Sequence, residues 1–437
     1  MPLSFVSLTN LLKFTAMRIL SISIFLLWVS PLLAQQRGID HPKAKQYFEE
    51  AKQICQKDAG STWGASLDGP ILFVDQNTRE VVANSNDSLQ SLTLAGGLYC
   101  GSYPDSLPIA NTSVRWNGTT WTMVIWQALS NNPAERNRLI MHESWHSKQQ
   151  ALGFPSCGSK NGHLAELEGR LLLKMEWLAL SEAIQPNHID TSHLVNALMF
   201  RFYRQARFDA SKKESAFEMH EGLAEYTGQR LSGANEAECV SNLKKMVTSA
   251  LEEHNLLMSF AYTSGALYGF ILDKLQPGWT KGLTKNDDFG LLLAKSIGTT
   301  PAAAKGKVER LKLTYDKYNL IKKETAYENE QQNFLRECEK RFVKGAKLVI
   351  PMKIIQISFN PNGVIPWGSH GTIYKELNCF GEWGRLSTEK GGLITPNWTS
   401  VILDAPTSGT SEFWTITLND GWKIVKLDNG DYTIEKR

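Results

Sequence analysis

The chain has 437 residues, 42 % of them hydrophobic and 21 % charged, proportions that exclude wholesale disorder and a collagen-like repeat. Its 47 basic and 44 acidic residues leave a formal charge of +3, without the concentrated basic excess of a nucleic-acid-binding protein. At roughly 150 residues per domain, the length suffices for about two to four domains.

Residues 17–34 begin with a basic residue, Arg18, and run apolar from Ile19 to Val29. They then meet Pro31 and end on the small residue Ala34. This is the layout of a secretory signal peptide, with Met17 an alternative start. The apolar run is shorter than the roughly 20 residues that cross a bilayer as a helix. The expectation is a secreted or periplasmic protein with no stable membrane span once residues 1–34 are removed. An uncleaved anchor is the competing reading, because Leu32 sits poorly two places before the cleavage point. Export permits disulfides among Cys55, Cys100, Cys157, Cys239, Cys338 and Cys379, and one or two are expected. Their scatter matches neither a compact disulfide scaffold nor a C-x-x-C metal site.

Residues 42–58 read as a helix with Pro42 at its start, one face marked by Ala44, Tyr47, Phe48, Ala51 and Cys55, and Gly60 beyond its end. Two apolar runs, 71–74 and 80–84, flank Asp75-Gln76-Asn77-Thr78 and predict a β-hairpin. Asn117-Gly118, between 114–116 and 121–126, predicts another. From 134 to about 275 the pattern turns helical. Residues 302–342, rich in Lys and Glu, read as solvated helices. Beyond Gly345, segments 347–358 and 399–403 read as strands. Pro361-Asn362-Gly363 is a turn signal, and Asp428-Asn429-Gly430 is a second between 423–427 and 432–435. The sum is an α+β chain: mixed strands in 35–133, a mainly helical part in 134–344 and a small all-β module in 345–437. Of the thirteen Trp, Trp367, Trp383, Trp398, Trp414 and Trp422 fall in that module. They are expected to fill its core, with stacking on sugars or peptides as the alternative.

The sharpest chemical signal is His142-Glu143-Ser144-Trp145-His146. Four residues along a helix turn through about 400°, so both imidazoles share a face and can bind one zinc ion. Glu143 lies beside them to take a proton from a water at the metal. Such a site needs a third protein ligand, and Glu218-Met219-His220-Glu221-Gly222-Leu223-Ala224-Glu225-Tyr226 offers one.

This second stretch resembles the second zinc helix of the gluzincin metallopeptidases, which in aminopeptidase-N-type members reads L-N-E-G-F-A and often continues E-Y. The resemblance implies a zincin-like core with Glu221 as the third ligand. Glu225, one turn later, can hold the tautomer of a ligand His; a solvated helix carboxylate is its plainer reading. His220 falls on another face, at the pocket edge or the surface. Ala261-Tyr262-Thr263-Ser264-Gly265 is similar to the Y-x-x-G of the same enzymes, which implies that Tyr262 hydrogen-bonds the developing oxyanion. Tyr262 can equally be a core aromatic, with Tyr268 the fallback. The chain departs from those relatives in two ways. First, 74 residues, 147–220, separate His146 from Glu221 and read as an inserted helical hairpin beside the active site; within them Glu166 is a rival third ligand. Second, the amine-binding G-x-M-E-N motif is not present, so aminopeptidase activity is not implied.

The leading expectation is a secreted zinc peptidase acting on peptide or protein substrates, with Glu143 as general base. The alternatives are a catalytically silent binding protein of the same fold, and a zinc hydrolase of a non-peptide amide or ester.

Overall fold

The computed structural model describes residues 38–158, 160–300, 305–352, 356–360, 363–407 and 411–437. The export segment expected at 1–34 lies outside them, as do Pro361 and Asn362 of one expected turn.

Helix α1 (His41–Asp58) is capped by Asp40, whose side chain accepts from the Lys43 N–H, and Ala59 ends it in the left-handed conformation. That pattern satisfies end groups the helix itself cannot. Its buried face carries Ala44, Tyr47, Phe48, Ala51 and Cys55, and Phe48 stacks on Phe73 at 4.4 Å. Six strands follow: β1 (Ile71–Val74), β2 (Glu80–Ala83), β3 (Thr93–Ala95), β4 (Leu98–Ser102), β5 (Thr112–Trp116) and β6 (Thr119–Ile125). They form one sheet in the order β3-β4-β2-β1-β6-β5. β1 runs parallel to β6, and the other pairs are antiparallel. Asn117 and Gly118 both take positive φ, 48° and 77°, the geometry that closes a two-residue hairpin with the strands' own twist. β5 is therefore a sheet edge, and it lies against α2 (Pro133–Gln149).

α2 starts at Asn132, whose side chain accepts from the N–H groups of Ala134 and Glu135. It packs on β5 and β6 and also on α6 (Leu223–Leu231). Burial on several faces explains why its polar and apolar residues do not segregate into a stripe. Next come α3 (Leu167–Ala183), a tiny antiparallel pair of β7 (Ile184–Gln185) and β8 (His188–Ile189), and α4 (Thr191–Phe208). α5 (Ser211–Phe217) leads into a π-helical turn, Glu218–Gly222, and then α6. α7 (Glu236–Glu252), α8 (Phe260–Leu275), α9 (Phe289–Ser296), α10 (Lys305–Tyr315) and α11 (Leu320–Cys338) complete the helical part.

The segment expected as an inserted helical hairpin does form one, α3 packed on α4 across the β7-β8 turn, but neither helix lines the cavities beside α2. α3 is buried from Gly169 to Leu180, and it packs on α4, α7, α8 and α11. Trp177 Nε1 donates to Ser264 Oγ on α8 at 3.0 Å. Leucines and Trp177 cover more than one of its faces, so it is a central strut of the domain. The Lys- and Glu-rich helices α10 and α11 are largely solvated, as their composition predicts, with a few buried contacts. Glu324 of α11 is fully buried, accepting from Arg170 at 2.8 Å and Lys174 at 2.6 Å.

The carboxy-terminal strands are β9 (Lys347–Pro351), β10 (Gln356–Phe359), β11 (Val364–Pro366), β12 (Thr372–Tyr374), β13 (Leu377–Gly381), β14 (Gly384–Thr388), β15 (Gly392–Ile394), β16 (Ser400–Asp404), β17 (Trp414–Leu418), β18 (Trp422–Lys426) and β19 (Tyr432–Lys436). Among the described residues they make a four-stranded sheet, β10-β13-β14-β17, and a seven-stranded one, β11-β12-β15-β16-β9-β19-β18. Leu348, Ile350, Leu386, Trp383 and Trp414 fill the core of this part, whereas Trp398 is 52 % exposed. Cys338 and Phe342 pack against Ile373 and Leu393, joining strands to helices.

The six cysteines are all free thiols, which overturns the expected disulfides. They stand on six separate elements or loops, and burial pushes the Cys55 and Cys379 thiols up to about 12. No helix among the described residues is long and apolar enough to cross a membrane.

Candidate metal centre

His142 and His146 stand one turn apart on α2, with their Nε2 atoms 3.2 Å apart. Glu221 Oε2 lies 3.8 Å from the first and 3.5 Å from the second. The point equidistant from these three atoms is about 2.0 Å from each, which matches the zinc–nitrogen and zinc–oxygen distances of protein sites. Among the described residues these are the grouped side chains able to share one ion.

A close backbone approach brings Glu221 there. A β-carbon on Gly265 would fall 2.1 Å from the Gly222 carbonyl oxygen and 2.3 Å from its Cα. Only glycine at 265 lets α8 lie this near the π turn, while a β-carbon at 222 would be tight, 3.1 Å from the Ala261 carbonyl oxygen. Gly265 is one turn from Tyr262, so the same contact brings the phenol over the histidines. The Tyr262 ring stacks on His142 at 5.6 Å and 16°.

Each imidazole is oriented through its other nitrogen. His142 Nδ1 is 3.1 Å from Glu225 Oε2, and Glu225 also accepts from Arg138 at 2.7 and 2.9 Å and from Gln229 at 2.9 Å. An ionised carboxylate only accepts, so Nδ1 carries the proton and Nε2 presents its lone pair. His146 Nδ1 meets Gln149 Oε1 at 2.8 Å. The Gln149 amide continues to His220 Nδ1 at 2.6 Å, and His220 Nε2 reaches Glu221 Oε1 at 3.0 Å. Read with each donor donating, this chain joins His146 to Glu221 in one direction and leaves the Nε2 of His146 as an acceptor. Three acceptors then face one point. The cluster calls for a positive charge there: a metal ion, or a proton between His146 and Glu221. Against the penalty of burial, Glu221 raises the His146 pKa. Two imidazoles and one carboxylate form a donor set that zinc accepts, with a fourth position left for water or substrate.

Glu143 is buried, and burial pushes its carboxyl pKa up, with Glu221 and Glu225 adding to the shift and the two histidines opposing it. Burial and the charge of Glu221 push the Tyr262 phenol up as well, so it remains a donor at neutral pH. The other candidates are elsewhere. Glu166 is exposed at the start of α3 and lines a separate cavity with Arg170 and Tyr327. Its sequence spacing fits a ligand, but the burial of α3 turns it away from α2. Tyr268 is fully buried and donates to Glu176 at 2.6 Å.

Sequence reasoning missed Gln149, and it left His220 at the pocket edge without a partner. Gln149 sits three residues after His146, a helical spacing that is the only signal for it; the His220 contact needs the tertiary fold. A second omission is a buried ionic cluster. Arg201 donates to Glu218 at 2.5 and 2.9 Å and to Asp288 at 2.8 Å. Arg204 donates to Glu176 at 2.6 Å and to Glu214 at 2.7 and 2.9 Å. Glu218 opens the π turn that carries Glu221. Burial pushes its carboxyl up to about 7, with Arg201 opposing.

The three side chains of the candidate centre line one cavity, and His142 alone of them also lines a second. One, of about 620 Å³, is bounded by the edge strand β5 and the end of α2. The other, of about 890 Å³, lies toward α7. Asn111, His142, Glu143 and Tyr262 line both. No protein-family model, curated protein or solved structure matches this chain.

Proposed function

We propose that the chain is an exported, zinc-dependent peptidase with a gluzincin-like site. The observation that carries this reading is the convergence of three acceptor atoms, from His142, His146 and Glu221, beside a buried carboxylate and a phenol in one cleft. Bound by these three residues, the ion would supply Lewis acidity, activating water and polarising the scissile carbonyl. Glu143 takes the proton from the attacking water and returns it to the departing amine. A carboxylate whose pKa is raised by burial is the stronger base for that task. Tyr262 donates to the oxygen on which negative charge develops, where one aligned donor is worth about 3–4 kcal/mol. Glu225 and Gln149 keep the two imidazoles in the tautomer that ligates.

The test is metal content and hydrolysis measured together. Zinc-replete wild type is expected to hold one ion per chain and to cleave peptides. Glu143→Gln is expected to keep the ion and lose hydrolysis by ~10³-fold or more. Undiminished hydrolysis in metal-replete Glu143→Gln removes Glu143 from its role, and wild type that binds no metal overturns the reading. Turnover of esters or non-peptide amides without peptide cleavage would keep the chemistry and change the substrate.

A further inference from the structure

The two cavities differ in a way that bears on what the cleft takes. The smaller one has a wall of neutral hydrogen-bonding side chains, Thr112, Ser113, Thr120, Ser147, Gln150 and Ser156, and Ala151 is the lone aliphatic residue among those lining it. Among the described residues no Lys or Arg lines it, and its carboxylates are Glu143 and Glu221. A substrate's terminal carboxylate therefore meets no cation in this lobe. A terminal amine meets no acid other than the two already engaged at the centre. The larger cavity is mixed, with Leu139 and Met246 beside Lys245 and Glu253. Because Asn111, His142, Glu143 and Tyr262 line both cavities, the reacting groups stand at the junction of the lobes rather than at a closed end. Each lobe is in the size range of a small-molecule pocket, room for more than one amino-acid residue.

We propose that the cleft holds an extended polypeptide through both lobes and cuts it internally, with uncharged hydroxyl- or amide-bearing residues occupying the Thr112–Ser156 side. This rests on the peptidase reading and adds mode and substrate class to it. The physical ground is pairing. A bulky apolar side chain in the smaller lobe would take water from hydroxyls and amides and return no hydrogen bond, at about 1–3 kcal/mol for each group left unsatisfied. A charged side chain would lose hydration without a counter-charge. Ser, Thr, Asn and Gln offer matching donors and acceptors, and sites built on such pairing discriminate more steeply than apolar pockets.

The experiment uses the zinc-loaded full chain and two peptide libraries randomised around a central bond, one with acetylated and amidated ends and one with free ends. Products are read by mass spectrometry. The expected result is internal cleavage of the blocked library, with Ser, Thr, Asn or Gln enriched about 10-fold over Leu, Phe, Lys or Glu at one or more positions on one side of the cut. Cleavage confined to free-ended peptides, or a preference for large apolar or charged residues on both sides, overturns the inference and leaves the peptidase reading standing. No cleavage in either library, with wild type indistinguishable from Glu143→Gln, overturns both. A second measurement does not depend on turnover. In the Glu143→Gln background, Gln150→Lys is expected to tighten binding of a blocked peptide bearing Asp or Glu on the selective side by about 10-fold; unchanged affinity removes that side from the Thr112–Ser156 lobe.

Discussion

The Glu218–Gly222 turn serves two clusters of charged groups that are built by opposite rules. Around Glu218, the protein supplies its own cations: Arg201 and Arg204 reach Glu176, Glu214, Glu218 and Asp288 at hydrogen-bonding distance. Around Glu221 no Lys or Arg is paired among the described residues: His220 Nε2 donates to Oε1, and Oε2 faces His142 and His146. His142, His146 and Glu221 point lone pairs at one another, and their outer atoms are tied to Glu225, Gln149 and His220. Where charge is structural, the chain closes the account internally; where it leaves a cation out, the same turn offers a place for one. The inner cluster sets four carboxylates against two guanidiniums and His163, which reaches Glu214 at 2.7 Å, and burial pushes the Glu218 carboxyl up against the pull of Arg201.

The comparison can be tested from both ends. The largest effect is expected for Glu221→Ala. On the proposed zinc reading, removing one of three protein ligands forfeits about a third of a binding free energy on the order of 10–16 kcal/mol, a loss of roughly 300- to 10⁴-fold in affinity. Measured with a chelating competitor, full retention would show that some other residue is the third ligand. The same variant should leave the melting temperature of the metal-free protein nearly unchanged, because the inner cluster keeps its partners. Arg201→Met should do the reverse. It strands Glu218 and Asp288 in the interior, and a loss of about 3–4 kcal/mol in stability is expected by denaturant unfolding. A loss below about 1 kcal/mol would mean that the carboxylates simply take up protons, and the contrast between the clusters would dissolve. The smallest effect belongs to Glu225→Ala, which frees His142 Nδ1 without touching a ligand atom. Zinc affinity should fall by about 10- to 100-fold, and an unchanged affinity would leave Glu225 as a partner of Arg138 and Gln229 only.

Much of this was legible along the chain where the geometry is local. The helical repeat alone brings His142 and His146 to one face of α2 and puts Glu225 one turn beyond Glu221. The Asn117-Gly118 hairpin and the α+β order followed from turn chemistry and composition. What sequence could not supply was contact between distant segments. Glu166 has a suitable spacing, yet it stands at the exposed start of α3 because the leucines that follow it bury that helix in the domain centre. The cysteines looked pairable by number, but each is held on a different element. Gln149 and His220 are 71 positions apart, and neither has a meaning until α2 and the π turn face each other.

The contact of Gly222 with Gly265 has a consequence for precision. Side chains that meet across an interface can trade one rotamer for another and so blur the distance between the elements they join. Two bare backbones cannot. Their separation is a hard stop set by atomic radii, and α8 can move away from the turn but no nearer. The reach from the Tyr262 phenol to the histidines is thus gauged against a fixed datum two residues wide, and every looser part of the domain is measured from it.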